Sequence, residues 1–151
     1  MERILAIDFG LRRFGLAVSD ALGITAQGLS TYQRVRMEDD LRHIEKLVNE
    51  YAAACVILGN PVGHSGRQTE ISALVQQFAV KLRSRLTCEV KLWDERLTSV
   101  AANRILRDSG MGIEKRKRAV DRVAATILLQ GYLDRLAYEH GPAARQKAEP
   151  E

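Results

Sequence analysis

Asp8 closes the apolar run that begins at Arg3, and Asp94 and Glu95 close a second run that begins at Cys88. In a sheet flanked by helices, a carboxylate at the carboxyl end of a strand faces the crevice where ligands bind. Taken singly, such an acid also serves as a turn former or helix cap. Asp121 lies in a helical stretch whose residues one turn on, Ala124 and Ala125, are small, so this face can pack close to a sheet. Its alternative is an exposed ion pair with Lys117 or Arg118. Together, acids from two strands and one helix make the donor set of a divalent-metal site. Mg2+ or Mn2+ is held by a few carboxylates while keeping waters and substrate phosphate oxygens. Two such ions about 3.5–4 Å apart activate a water and stabilise the leaving oxygen in phosphodiester hydrolysis. Clustered carboxylates repel one another unless a cation or a shared proton sits among them.

Cations accompany these acids. Arg96 follows Glu95 directly and could fork onto a phosphate or pair with Asp94 or Glu95. Arg12 and Arg13 follow Asp8 after the turn at Gly10. Lys115, Arg116, Lys117 and Arg118 form a basic block just before Asp121, with Arg122 one turn later. Such a block is either a solvated face or a grip on the backbone of a polyanion. The Gly59–Gly66 loop adds His64 and Ser65. Trp93, Tyr32, Tyr51 and Tyr132 show no stacking array, so readout of bases on aromatic rings has no support.

Hydrophobic periodicity supplies the elements that must position these groups. Arg3–Phe9 reads as a buried strand, and Phe14–Ser19 follows after a basic turn as its hairpin partner. Ala26–Tyr32 is a weaker third strand. Helical spacing predicts a helix over Met37–Ala53, through Leu41, Ile44, Leu47, Val48 and Tyr51. Cys55–Leu58 is a buried strand stopped by Gly59-Asn60-Pro61. Gln68–Leu86 is a second amphipathic helix, Cys88–Trp93 a fifth strand, and Leu97–Leu106 and Ala119–Leu136 the last helices. The order βββαβαβαα implies a mixed five-stranded sheet: a three-strand antiparallel meander plus two parallel strands, with helices on its faces.

The chain of 151 residues is about one domain's worth, long enough to bury a core without disulfides. The apolar run Ala52–Leu58 is far short of the ~18–20 residues that span a bilayer. The N-terminus lacks the pattern of a signal peptide, so a cytoplasmic location is expected. Cys55 and Cys88 have neither a CxxC partner nor zinc-site spacing and read as structural thiols. The net charge of +4 is compatible with a nucleic-acid partner without showing one. Residues 1–138 form the expected domain; 139–151, with two prolines and no apolar periodicity, form an expected disordered tail.

Ala-Ile-Asp8-Phe-Gly10, followed by Arg12-Arg13-Phe-Gly15-Leu-Ala-Val-Ser19-Asp20, resembles the opening of the YqgF family, also called RuvX. Three further stretches match in order: the Gly59–Gly66 loop, Asp94-Glu95-Arg96-Leu97-Thr98, and Val120-Asp121 continuing through Ala124-Ala125 to Ile127-Leu-Leu-Gln130. The resemblance covers residues 3–136, and the Asp-Glu-Arg-Leu-Thr block is its most specific part. It implies an RNase H-like fold and a cytoplasmic bacterial nuclease that processes the 5′ end of pre-16S rRNA or, by older analogy, resolves DNA junctions. By matching positions, Asp8, Asp94, Glu95 and Asp121 would carry the metal site. The family commonly has Gly-Leu-Pro where this chain has Gly59-Asn60-Pro61. The RuvC resolvases place an acid at the end of the fourth strand, where this chain has Gly59-Asn60, so their metal geometry does not transfer directly.

Two other classes compete. Actin-like ATPases and sugar kinases open with a similar Asp-x-Gly strand but need two such domains, and this chain has one opening motif. A non-catalytic nucleic-acid-binding factor on the same fold is the stronger rival. A pure polyanion binder gains nothing from carboxylates beside phosphate. Branched DNA and pre-rRNA remain open as partners, as does a monomer or homodimer.

Overall fold

The computed structural model describes residues 2–60, 70–94 and 113–140; at residues 94, 113–122 and 140 it describes the backbone alone. The first strand, β1 (Arg3–Phe9), pairs antiparallel with β2 (Arg13–Ser19), which pairs antiparallel with β3 (Ala26–Gln33). Helix α1 (Met37–Tyr51) then returns the chain to β4 (Ala53–Asn60), parallel to β1 on its other edge. Helix α2 (Glu70–Arg85) leads to β5 (Glu89–Asp94), parallel to β4, and α3 (Ile113–His140) ends the described chain. The spatial order β3-β2-β1-β4-β5 makes β1 the central strand. This is the mixed sheet that the element order implies, with its meander and its two parallel additions.

Strand alternation divides the core into two layers. Leu5, Ile7 and Phe9 of β1 face α1 and α2, packing with Leu41, Ile44, Val75, Phe78 and Leu82. Ile4 and Ala6 face the other way, joining Ala17, Cys55 and Ile57 beneath Ala125, Leu128, Leu129 and Tyr132 of α3. The small residues Ala6, Ala17 and Ala125, all fully buried, let α3 lie close to the sheet. Among the described residues no helix is long and apolar enough to cross a membrane.

Most boundaries fall within two residues of the sequence reading, and the informative differences are at α1, β4 and α3. Helix α1 stops at Tyr51 because Ala52 turns left-handed (φ 51°), and Ala53 already begins β4. Apolar spacing cannot register such a stop, since Ala52 and Ala53 suit a helix and a buried strand equally. Strand β4 extends to Asn60, two residues past Leu58. Helix α3 starts at Ile113, ahead of the apolar stripe, and runs to His140, beyond the expected domain limit at residue 138. Polar helical turns carry no apolar period, so the stripe understates the helix at both ends. The expected helix Leu97–Leu106 and residues 141–151 of the expected tail lie outside the described residues.

Phe78 on α2 holds the α1–α2 layer to the sheet, with its ring centroid 5.2 Å from Phe14 and 5.5 Å from Phe9. Truncating a buried Phe costs about 3–5 kcal/mol. Phe78→Ala is therefore expected to lose about that much in urea unfolding, while Val80→Ala, at an exposed position of the same helix, stays within about 0.5 kcal/mol.

Candidate functional site

Asp8 is the last residue but one of β1 and stands in register with Gly15 of β2. On the other side, one residue beyond the Ile7–Leu58 pair, β4 offers Gly59. The positions directly opposite Asp8 on both neighbouring strands are therefore glycines. A cleft of about 330 Å³ opens here, lined by Asp8, Gly10, Leu11, Arg12, Arg13, Gly15 and Ile71. Asp8 and Arg13 are half-buried and Arg12 is exposed. One carboxylate and two guanidinium-bearing residues thus share one open depression at the carboxyl end of the central strand.

The turn between β1 and β2 is held from outside. Gly10 is required there because a Cβ would collide with the Arg13 carbonyl oxygen. The backbone N–H of Arg34 donates to the Arg12 carbonyl at 2.9 Å. The Arg34 side chain donates through Nη1 to the Gly10 carbonyl at 3.1 Å and through Nε to Asp40 Oδ2 at 3.0 Å. Its guanidinium lies over the rings of Phe9 (4.6 Å) and Phe14 (5.0 Å). Asp40, only 1% exposed, also accepts the Val35 N–H on Oδ1 at 3.1 Å, and burial, followed by the hydrogen bond and charge of Asp40, pushes the Tyr32 phenol up. Sequence reasoning missed this network, because Arg34 precedes α1 and matches no motif, while Asp40 is a charged residue at a buried position of α1, four residues before Ile44, which an apolar count passes over.

Other expected site residues are placed in part. Asp94 ends β5, paired in register with Asn60 of β4. The Asn60 side chain turns towards α2, where its Oδ1 accepts the Ser72 hydroxyl at 2.6 Å. Asp121 and the basic block at Lys115, Arg116, Lys117 and Arg118 fall within α3. Helix geometry turns about 100° per residue, so these four basic positions spread around the axis instead of forming one strip. Positions 115, 118 and 122 recur on one strip. Glu95, Arg96, His64 and Ser65 lie outside the described residues.

Among the described residues no three His, Cys, Asp or Glu side chains meet as a metal cage. The part of the donor set on view is a hard oxygen donor, Asp8, with open space beside it, which suits an oxygen-preferring divalent ion. Thiol chemistry is not available at this site. Cys55 is buried beneath α3, and desolvation pushes its thiol up to about 11, so it stays protonated and inert at neutral pH. Burial also raises Cys88.

A five-stranded mixed sheet with an acid at the end of its central strand defines an RNase H-like fold. Solved structures share it: Thermus thermophilus RuvC in complex with Holliday junction substrate (TM-score 0.53, 14% identity, 90% of this chain and 96% of that one) and the yeast mitochondrial Holliday junction resolvase Ydc2 (TM-score 0.56, 11% identity, 97% and 84%). The family model described as "RuvX: Holliday junction resolvase" matches residues 2–135, and the chain belongs to that family. Relatives named "Putative pre-16S rRNA nuclease" occur in Koribacter versatilis (strain Ellin345), 46% identical over 133 residues, 88% of this chain and 87% of that protein. Another, from Clostridium novyi (strain NT), is 44% identical over 132 residues, 87% of this chain and 98% of that protein.

Adding a methyl group at Gly10 forces the turn away from the Arg13 carbonyl. Gly10→Ala is expected to lose about 1–3 kcal/mol in denaturant unfolding, as overpacking does. Gly131→Ala, where a Cβ would meet nothing within 4 Å, is expected to be neutral or stabilising by up to about 1 kcal/mol on the same measurement.

Proposed function

We propose that this protein is a metal-dependent nuclease that hydrolyses phosphodiester bonds of pre-16S rRNA at its 5′ end, in the cytoplasm. The observation that carries this reading is the cleft itself: an acid at the end of the central strand, flanked by glycine, with Arg12 and Arg13 on the same wall. Relatives that bear the pre-16S rRNA name cover nearly the whole fold at 42–46% identity. Cleavage of a four-way DNA junction is the alternative, supported by the family's description and by likeness of fold.

In this reading Asp8, Glu95 and Asp121 would hold Mg2+ or Mn2+, with two ions as the working count. When bound, the metal lowers the pKa of an attacking water and neutralises charge developing on the phosphate. The chain's own residues do the rest. Arg12 and Arg13 draw the strand's phosphates into the cleft and fix their register, since forked donors match phosphate oxygens. The glycines at 10 and 15 let a sugar-phosphate backbone approach Asp8 without meeting a Cβ. Arg96 follows the β5 acids and would contact the scissile phosphate, while Lys115, Arg118 and Arg122 extend the grip along α3.

Strand alternation favours Glu95 over Asp94 as the ligand from β5. Trp93 packs against Tyr132 on the α3 side, where Asp8 belongs with Ile4 and Ala6, whereas Leu92 packs on the α1–α2 side. A strand continued by one residue would give position 95 the parity of Trp93. Asp94 then becomes the cap of the segment that follows.

The test is cleavage of a labelled 5′-extended 16S rRNA fragment and of a labelled four-way DNA junction, with Mg2+, with Mn2+ and with chelator. RNA cleavage that needs the metal supports the proposal; junction cleavage alone moves the protein to the alternative, and binding without cleavage of either makes it a binding factor. Asp8→Asn should retain fold and binding but lose at least the ~10–100-fold that removal of even an outer partner costs a metal site. Glu95→Ala should match that loss, while Asp94→Ala keeps most activity and shows its effect in thermal melting. The reverse ranking would exchange the two roles.

A further inference from the structure

Arg34 offers no side-chain donor to the open face of the cleft, yet its polar bonds, apart from the one to Asp40, all go to the backbone of the turn that builds the cleft wall. Its N–H takes the Arg12 carbonyl, and its guanidinium takes the Gly10 carbonyl and approaches that of Leu11 at 3.4 Å. These are the carbonyls of the residues between β1 and β2, which the hairpin's own ladder leaves unpaired. The guanidinium itself is anchored three ways: by the buried Asp40 carboxylate and by the faces of Phe9 and Phe14. Arg34 is 16% exposed, so its charge is committed inward and is not offered to substrate.

We propose that Arg34 is a positioning residue that sets the phosphate-gripping turn, fixing Arg12 and Arg13 relative to Asp8; this rests on the reading of the cleft as a nuclease site. The shape of the side chain decides the matter. Arg presents donors in a rigid planar fork, so one group can hold Asp40, the Gly10 carbonyl and two rings at once. Lys carries the same charge as a single point and can balance Asp40 without spanning to the turn. Charge balance and turn geometry are thereby separable.

The experiment compares wild type, Arg34→Lys, Arg34→Gln and the double variant Arg12→Gln/Arg13→Gln. Affinity for a fluorescent 5′-extended 16S rRNA fragment is read as a function of salt, in Ca2+ to prevent turnover, and steady-state cleavage is read in Mg2+. All readings are taken below each variant's own melting transition. A single-strand phosphate contact contributes about 0.7 to the slope of log affinity against log salt, so the double variant should lower the slope by about 1.4. Arg34→Lys should melt near wild type yet lower the slope by about 0.7–1.4 and raise KM about tenfold, with kcat within about twofold. Arg34→Gln, which leaves Asp40 buried without its partner, should melt lower and show at least the same loss of slope.

A wild-type slope and KM in Arg34→Lys would overturn the inference while leaving the cleft reading intact, provided the double variant still loses slope. An equal fall of kcat and kcat/KM in Arg34→Lys would also overturn it, because the defect would then lie in the reacting groups. If the double variant itself keeps the wild-type slope, the turn grips no phosphate, and the cleft reading falls together with the inference.

Discussion

Strand β1 has a neighbour on each edge and a helical layer on each face, so no charge can sit along it until it leaves the core. From Ile4 to Ile7 every side chain is 6% exposed or less. Asp8 is where that constraint lifts. The position of the acid is therefore set by how far the two apolar layers reach. It is also set by the parity that places Asp8 opposite Gly15, where β2 adds no side chain. Everything else at the cleft is arranged around this exit point: the tight turn at Gly10, the two arginines beyond it, and the start of α2 at Ile71.

The buried Arg34–Asp40 pair shows why such arrangements carry cost. A buried ion pair repays its desolvation only when geometry and further hydrogen bonds are good. Here Asp40 takes a backbone N–H as well as the guanidinium, and the guanidinium adds carbonyls and two aromatic faces. Hydrophobic residues of similar volume could hold α1 to the hairpin equally well. What they could not do is satisfy the carbonyls of the β1–β2 turn.

The meander, the parallel additions and the two core layers were legible because Val, Ile, Leu and Phe recur at clean strand or helix periods from residue 3 to residue 92. Asp8 was legible for the same reason, as a polar residue ending an apolar run. Arg34 and Asp40 were not. A charge between a strand and a helix, or in a helix's first turn, looks solvated in sequence, and only the fold reveals that Arg34 and Asp40 meet, with the guanidinium against Phe9 and Phe14. The glycines beside Asp8 were visible individually, but their common purpose depends on the β1–β2 and β1–β4 registers, which no local pattern encodes.

Helix α3 completes the molecule late. The β1–β2–β3 meander closes over short connections, whereas Gln130 reaches back 104 residues to take the Ala26 N–H and 106 to donate to the Ile24 carbonyl. Contacts so distant in sequence carry the greater closure entropy and form slowly relative to hairpins. A chain emerging from the ribosome therefore displays Ile4, Ala6, Ala17 and Ile57 as an uncovered apolar sheet face until α3 follows them. That face is covered only when Leu128, Leu129 and Tyr132 settle onto the sheet, and exposed apolar surface of this kind is what draws unfinished chains together.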